Sequence, residues 1–211
     1  MMGMPFIIGL TGSIGMGKTT ASQHFRRLGI PVFDADQAVA TLYCGEAAPL
    51  VEQAFPGTVH EGVVDRVRLA AAVLADTSAI RDLEAIVHPL VRRAEERFLR
   101  QTAEQGARLA VLDIPLLLET QGEARCDAVL VVSAPTPIQR QRVLARPGMT
   151  EEKLDAILQR QMPDGEKRVR AHFVIDTSRS HSAARRQIEA VVRALAARPT
   201  HQRDDRERRT A

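Results

Sequence analysis

Tryptophan is absent from this sequence of 211 residues, tyrosine occurs only at Tyr43, and aromatic residues make up 3% of it. With 45% of residues apolar, the core must be large and mostly aliphatic. Cysteine is equally scarce. Cys44 and Cys126 lie far apart and form neither a ligand spacing nor a redox motif, so both are expected to be reduced thiols. No stretch approaches the roughly 20 apolar residues of a membrane span. The first residues lead straight into an apolar run, without the basic segment and cleavage site of an export signal. A cytoplasmic protein with no membrane partner is the expectation. No internal repeat is present, and the N-K-x-D sequence of guanine-specific switches is missing.

A sequence pI near 9.3 raises the question of nucleic acid. Of the net charge of +3, however, +2 comes from residue 198 onward, where five arginines (198, 203, 206, 208 and 209) face Asp204, Asp205 and Glu207. Basicity is therefore a property of residues 198–211, which are short of apolar anchors and are expected to form a disordered basic tail. Their mixed signs argue against nucleic acid as a partner.

What the sequence does contain is a strand, a glycine loop and a helix start. Phe6 to Thr11 is a short buried-strand pattern, and Gly12-Ser13-Ile14-Gly15-Met16-Gly17-Lys18-Thr19 matches G-x-x-x-x-G-K-[ST] in full. Glycines at 15 and 17 let the backbone turn tightly and approach a phosphate. Lys18 supplies charge toward β- and γ-phosphates, and Thr19 a hydroxyl to Mg²⁺. A helix beginning near Lys18 adds its positive dipole end. Residues Gly12 to Thr20 are thus the expected nucleoside-triphosphate cradle. The glycines do not fall as the G-x-G-x-x-G of a dinucleotide site.

Further along, Gly29 should stop the first helix. Ile30 to Phe33 reads as a second strand ending on Asp34-Ala35-Asp36, where an open parallel sheet places its ligands. Asp36 is expected to cap the following helix, leaving Asp34 as the functional carboxylate. Residues 46–106 read as an all-helical insertion, with Asp65 and Ser78 as caps and a kink or break at Pro89, carrying Arg66 and His88. Leu109 to Asp113 is a third strand. Asp113 serves either Mg²⁺ or the cap of a helix over Pro115–Glu119. Strands near 127 and 172 complete a five-stranded parallel sheet flanked by helices. Between those two strands, residues 136–170 carry Arg140, Arg142, Arg146 and further basic residues in the manner of a closing lid. The expected organisation is a single domain over 1–197, with its core at about 1–45, 107–135 and 171–197.

The ordered set GLTGSIGMGKTT, FDADQ, VDRVRL, LEAIVHPLV, LDIPLLLET, RQRVLAR, the Gln161-Met162 pair and HFVIDT resembles the dephospho-coenzyme A kinase family from Gly9 to about Ala194. The resemblance implies a P-loop kinase fold, ATP with Mg²⁺, and phosphorylation of the ribose 3′-hydroxyl of dephospho-coenzyme A as the final step of coenzyme A synthesis. It implies Asp34 as the base toward the acceptor hydroxyl and Arg66 and His88 in the acceptor region. Arg142 and Arg146 fall in the lid, Arg142 on the nucleotide and Arg146 with Lys18 on the transferring phosphoryl group. The sequence departs from the family where it has Ala156 in place of a frequent arginine, and Thr177 in place of the usual asparagine after the last strand. A nucleoside or nucleotide monophosphate kinase is the alternative enzyme, and an NTP-driven regulatory switch the alternative of another class. A monomer is expected.

Overall fold

The computed structural model describes residues 3–73 and 76–196. The segment 198–211 lies outside them, and with it the expectation of a disordered tail.

In chain order the elements are β1 (Phe6–Thr11), α1 (Lys18–Arg27), β2 (Val32–Asp34), α2 (Ala35–Tyr43), α3 (Ala48–Ala54), β3 (Val59–His60), β4 (Val63–Val64), α4 (Arg66–Val73), α5 (Thr77–Glu104), β5 (Leu109–Asp113), a 3₁₀ turn (Gly122–Arg125), β6 (Ala128–Ser133), α6 (Thr136–Leu144), α7 (Glu151–Gln159), α8 (Asp164–Arg170), β7 (Phe173–Asp176) and α9 (His181–Ala196). The five-stranded parallel sheet runs β2-β5-β1-β6-β7. The described residues cluster into two units: one is Asp34–Leu99, and the other is the chain on either side of it.

In the larger unit β1 is the central strand, paired with β5 on one side and β6 on the other, and both of its faces are covered. Ile7, Ile8 and Leu10 are all fully buried, the near-continuous apolar signature of a strand inside a parallel sheet. Ile8, Leu10, Phe25, Leu130, Val132, Ile175 and Ile188 share one core cluster, in which Phe25 is the only fully buried aromatic. Register places the chemistry. Leu10 pairs with Asp113, so the acid ending β5 lies beside the end of β1. Ser133 pairs with Asp176, which brings Thr177 N to donate to the Ser133 carbonyl at 2.9 Å.

The smaller unit has its own aliphatic core of Leu42, Ala47, Val51, Val64, Leu69, Val73 and Leu90. It is not all helical. Val59 and His60 pair with Val64 and Val63 across Glu61 and Gly62, whose φ angles of 50° and 77° define a tight hairpin. The sequence hides this hairpin because a glutamate stands where asparagine or aspartate would advertise the turn.

Other expectations fail for local reasons. Of the kink or break expected at Pro89 the break does not occur, since helix α5 runs on through it. Pro89 and Ala85, whose carbonyl loses its donor, are both on the exposed side, where water can take the lost partner's place. Ser78 does not cap α5; Asp76 accepts from Ser78 N at 2.7 Å and from its hydroxyl at 2.8 Å. Asp65 does cap α4, accepting from Val67 N and Arg68 N, and these bonds, Arg68 N first, hold its carboxyl below the usual range. No helix forms over Pro115–Glu119. That stretch turns repeatedly before the 3₁₀ segment, held by the bond from Thr11 Oγ1 to the Pro115 carbonyl at 2.9 Å.

Candidate active site

The loop between β1 and α1 follows from its glycines. Gly15 and Gly17 have φ of 77° and 92°, a region closed to most side chains, and a Cβ on Gly15 would lie 2.6 Å from Val143 Cγ2 and 3.1 Å from the Gln139 carbonyl. Gly17 is also the residue before the first turn of α1, which has no side-chain cap. The leading amides of α1 therefore have no capping acceptor from that residue, as an anion site at a helix N-terminus requires.

Four side chains brace this loop, two from α6 and one each from the segments after α7 and β7. Ile14 is held at both polar groups of its backbone: Gln161 Oε1 accepts from its N–H at 3.1 Å, and Gln139 Nε2 donates to its carbonyl at 2.8 Å. Thr177 Oγ1 contacts the Met16 carbonyl at 2.9 Å and the Ser133 carbonyl at 3.2 Å, tying the end of β7 to the loop and to β6. Arg142 donates to the Thr177 carbonyl at 2.6 Å, to Thr177 Oγ1 at 3.1 Å and to the Gly15 carbonyl at 3.4 Å. A threonine thus bridges the loop at the position where the sequence departs from the asparagine of the resemblance.

Lys18 Nζ lies 2.7 Å from Asp113 Oδ1, with side-chain exposures of 18% and 3%. The capping alternative for Asp113 falls away with the missing helix, and its carboxylate instead faces the loop's lysine. Thr19 is exposed at the start of α1, and Ser13 is buried. Arg146 follows α6, is exposed, and its side chain makes no hydrogen bond or ion pair among the described residues. Arg140 ties α6 to α7 through Glu151 and Asp155. The structure therefore brings together Gly12 to Thr20, Asp113 and Arg142, and leaves Arg146 apart from that network.

The remaining candidates belong to the smaller unit. Asp34 ends β2 and caps α2, its Oδ1 accepting from Gln37 N at 3.1 Å. This corrects the expectation that Asp36 is the cap: Asp36 sits in the first helical turn and Asp34 has a structural task. Arg66 is exposed, with its guanidinium 5.6 Å from the ring centroid of Tyr43. Burial pushes the Tyr43 phenol up, and the Arg66 charge opposes that shift. His88 is exposed on α5. Leu50, Gln53, Ala54, Ile86, Pro89 and Arg93 line a groove of this unit. Sequence reasoning passed over Gln139 and met Gln161 only as part of the Gln161-Met162 pair, with no role, because a glutamine clamping a backbone peptide has no spacing signature of its own.

A parallel sheet in this strand order, a glycine loop between its central strand and a helix, and a lysine–aspartate pair beneath that loop define a P-loop kinase. The model of the family described as CoaE, dephospho-CoA kinase, matches residues 6–183. The chain is 58% identical over 193 residues to the dephospho-CoA kinase of Brucella melitensis, covering 92% of this chain and 96% of that protein. Among solved structures, TT1252 from Thermus thermophilus superposes with a TM-score of 0.79 at 38% identity, covering 91% of this chain and 98% of that one. The dephospho-CoA kinase from Campylobacter jejuni shares the fold, with a TM-score of 0.64 at 23% identity over 90% of this chain and 96% of that one. The chain belongs to the dephospho-CoA kinase family and is an ATP-dependent kinase.

Proposed function

We propose that the chain transfers the γ-phosphoryl group of ATP to the ribose 3′-hydroxyl of dephospho-coenzyme A, giving coenzyme A and ADP. Within the site, the pairing of Lys18 with the nearly buried Asp113 beneath the loop carries the reading, because it holds a cation where a triphosphate needs one. Phosphoryl transfer demands positioning and charge stabilisation more than covalent chemistry. The loop amides and the uncapped start of α1 bind the phosphates, and Lys18 turns its charge toward the β- and γ-oxygens. Asp34 orients the acceptor hydroxyl and takes its proton. Arg66 and His88 bind the acceptor's charged groups, and the groove of the smaller unit suits its longer, less polar arm. Arg142 fixes the Gly15 peptide under the nucleotide. Arg146, exposed and without a partner among the described residues, meets the charge that develops on the transferring group when the lid closes.

Thr19 and Asp113 fit Mg²⁺, a hard cation that takes one or two protein oxygens and completes its shell with water and phosphate oxygens. Held there, it would supply charge neutralisation at the β- and γ-phosphates. No helix among the described residues is long and apolar enough to cross a membrane. A cytoplasmic monomer completes the proposal.

Phosphorus NMR of the reaction of ATP with dephospho-coenzyme A tests the regiochemistry. A new phosphomonoester on the 3′ oxygen, formed in equal amount to ADP, is the expected result. Phosphorylation at another oxygen, or ADP without a modified acceptor, would reject the proposal.

A further inference from the structure

Helix α8 meets the rest of its unit through charge. Asp164, Lys167 and Arg170 recur every three residues along it. Asp164 Oδ2 accepts from Ser133 Oγ at 2.7 Å, Lys167 Nζ lies 2.8 Å from Glu119 Oε1, and Arg170 Nη1 lies 3.5 Å from Glu123 Oε1. Of the three, Lys167 is the one that requires explanation: its side chain is 0% exposed, and that of Glu119 only 14%. Its ammonium is at ion-pair distance but out of hydrogen-bond alignment, and Glu119 Oε2 is buried with no hydrogen bond. Burying such a pair in place of apolar residues of the same volume often brings no net stability. Stability alone is thus a weak reason for this pair to be there.

Its connections suggest another reason. Glu119 Oε1 also accepts from Met162 N at 2.8 Å, so the lysine holds the carboxylate that holds the residue next to Gln161. Gln161 Oε1 in turn accepts from Ile14 N in the phosphate loop. The path from α8 to the loop is continuous: Lys167, Glu119, the Met162 backbone, the Gln161 side chain, the Ile14 backbone. At Ile14 it meets the second clamp, from Gln139 on α6. The Ile14 N–H belongs to the Ser13–Ile14 peptide and its carbonyl to the Ile14–Gly15 peptide, so the two clamps each hold one of two successive peptide planes, and the amides that follow keep a fixed direction.

We infer that Gln161 is a positioning residue for ATP, fixing the phosphate loop through Ile14, and that the buried Lys167–Glu119 pair sets Gln161 in place. The inference rests on the reading of the loop as the ATP site but not on the identity of the acceptor. Loss of the Gln161 contact frees the Ser13–Ile14 peptide to rotate, and ATP binding must then fix it again. The effect falls on ATP affinity, and turnover with both substrates saturating changes little, as expected for uniform binding.

Titration calorimetry with MgATP, without acceptor, tests this. Gln161→Met keeps the length and bulk of the side chain and removes the acceptor oxygen. It should weaken ATP binding about three- to tenfold, the size of one lost neutral hydrogen bond. Its melting temperature should stay within about 2 °C of the wild type, since the side chain is half exposed. Replacing the pair together, Glu119→Leu with Lys167→Met, removes both charges without stranding either. It should weaken ATP binding in the Gln161 background and add nothing in the Gln161→Met background, the non-additivity of groups that act in series. Wild-type ATP affinity in Gln161→Met overturns the inference whether or not the pair variant folds. Additive losses overturn the role of the pair. A wild-type protein that does not bind ATP would instead overturn the kinase reading.

Discussion

In the unit that carries the phosphate loop, the backbone of Ile14 is held by two glutamines, the carbonyls of Gly15 and Met16 are met by Arg142 and Thr177, and Lys18 rests on Asp113. In Asp34–Leu99, by contrast, Arg66 and His88 stand exposed, Arg66 against only the ring of Tyr43. The first unit is built in advance for one charge distribution, a chain of phosphates whose oxygens must meet fixed amides. The second presents long, solvated side chains that, in the proposed function, bind the acceptor by adjusting. Preorganisation saves the cost of ordering groups at the moment of binding, whereas an exposed arginine must still lose its side-chain freedom. Substitutions in the two units should therefore differ in kind: in the first they should impair ATP binding, and where a buried charge is stranded the fold as well, and in the second only the acceptor step.

Lys18→Ala is the largest expected break. It removes a charge aimed at the transferring phosphate, and turnover should fall by at least about 10²-fold. It also strands Asp113, which is almost fully buried, so the melting temperature should fall as well. A calorimetric scan alongside the activity assay checks both. An unchanged melting temperature would mean that the pair contributes nothing to the fold.

Asp34→Asn should separate the cap from the proposed base, both of which fall on one side chain at the start of the second unit. Asparagine caps helices as well as aspartate does, so α2 and the melting temperature should be unaffected. Turnover should fall by about 10²-fold, the low end for a positioned base, because proton removal is late in a loose phosphoryl-transfer transition state. ATP affinity, measured separately, should not move. Near-wild-type turnover would reduce Asp34 to a cap.

The smallest effect belongs to Arg66→Met. Acceptor KM should rise while saturated turnover holds, the signature of uniform binding lost at an adjustable contact. Tyr43 provides an independent readout because it is the only tyrosine and tryptophan is absent. Burial already raises its pKa, and Arg66 lowers it by stabilising the phenolate. Without Arg66 the phenol should titrate at still higher pH, which absorbance near the tyrosinate band follows. A Tyr43 titration that does not move would show that the arginine is not held over the ring in solution.

The same contrast governs what the sequence made legible. The loop, the parallel strands and the acid at the end of β5 could be read because a repeated physical demand leaves a spacing: glycines where φ is positive, apolar runs where both faces are covered. The β3–β4 hairpin could not, since Glu61-Gly62 is not a typical turn pair. The caps were read at one carboxylate of several, because Asp34 and Asp36, or Asp76 and Ser78, compete for the same amides and only the backbone path decides. Pro89 looked like a break because sequence does not reveal which face of a helix is wet. The clamps at Ile14 were invisible for a different reason. They join residues more than 100 positions apart through glutamines that serve equally well on a solvated surface.

The account as a whole depends on a preformed ATP site serving one acceptor. The most direct measurement is ADP release with ATP held constant and dephospho-coenzyme A, AMP, CMP, uridine or water alone as the acceptor. We predict rapid release with dephospho-coenzyme A and release near the background rate with the other four. Preference for a nucleoside monophosphate or uridine, or equal release with water, would contradict it.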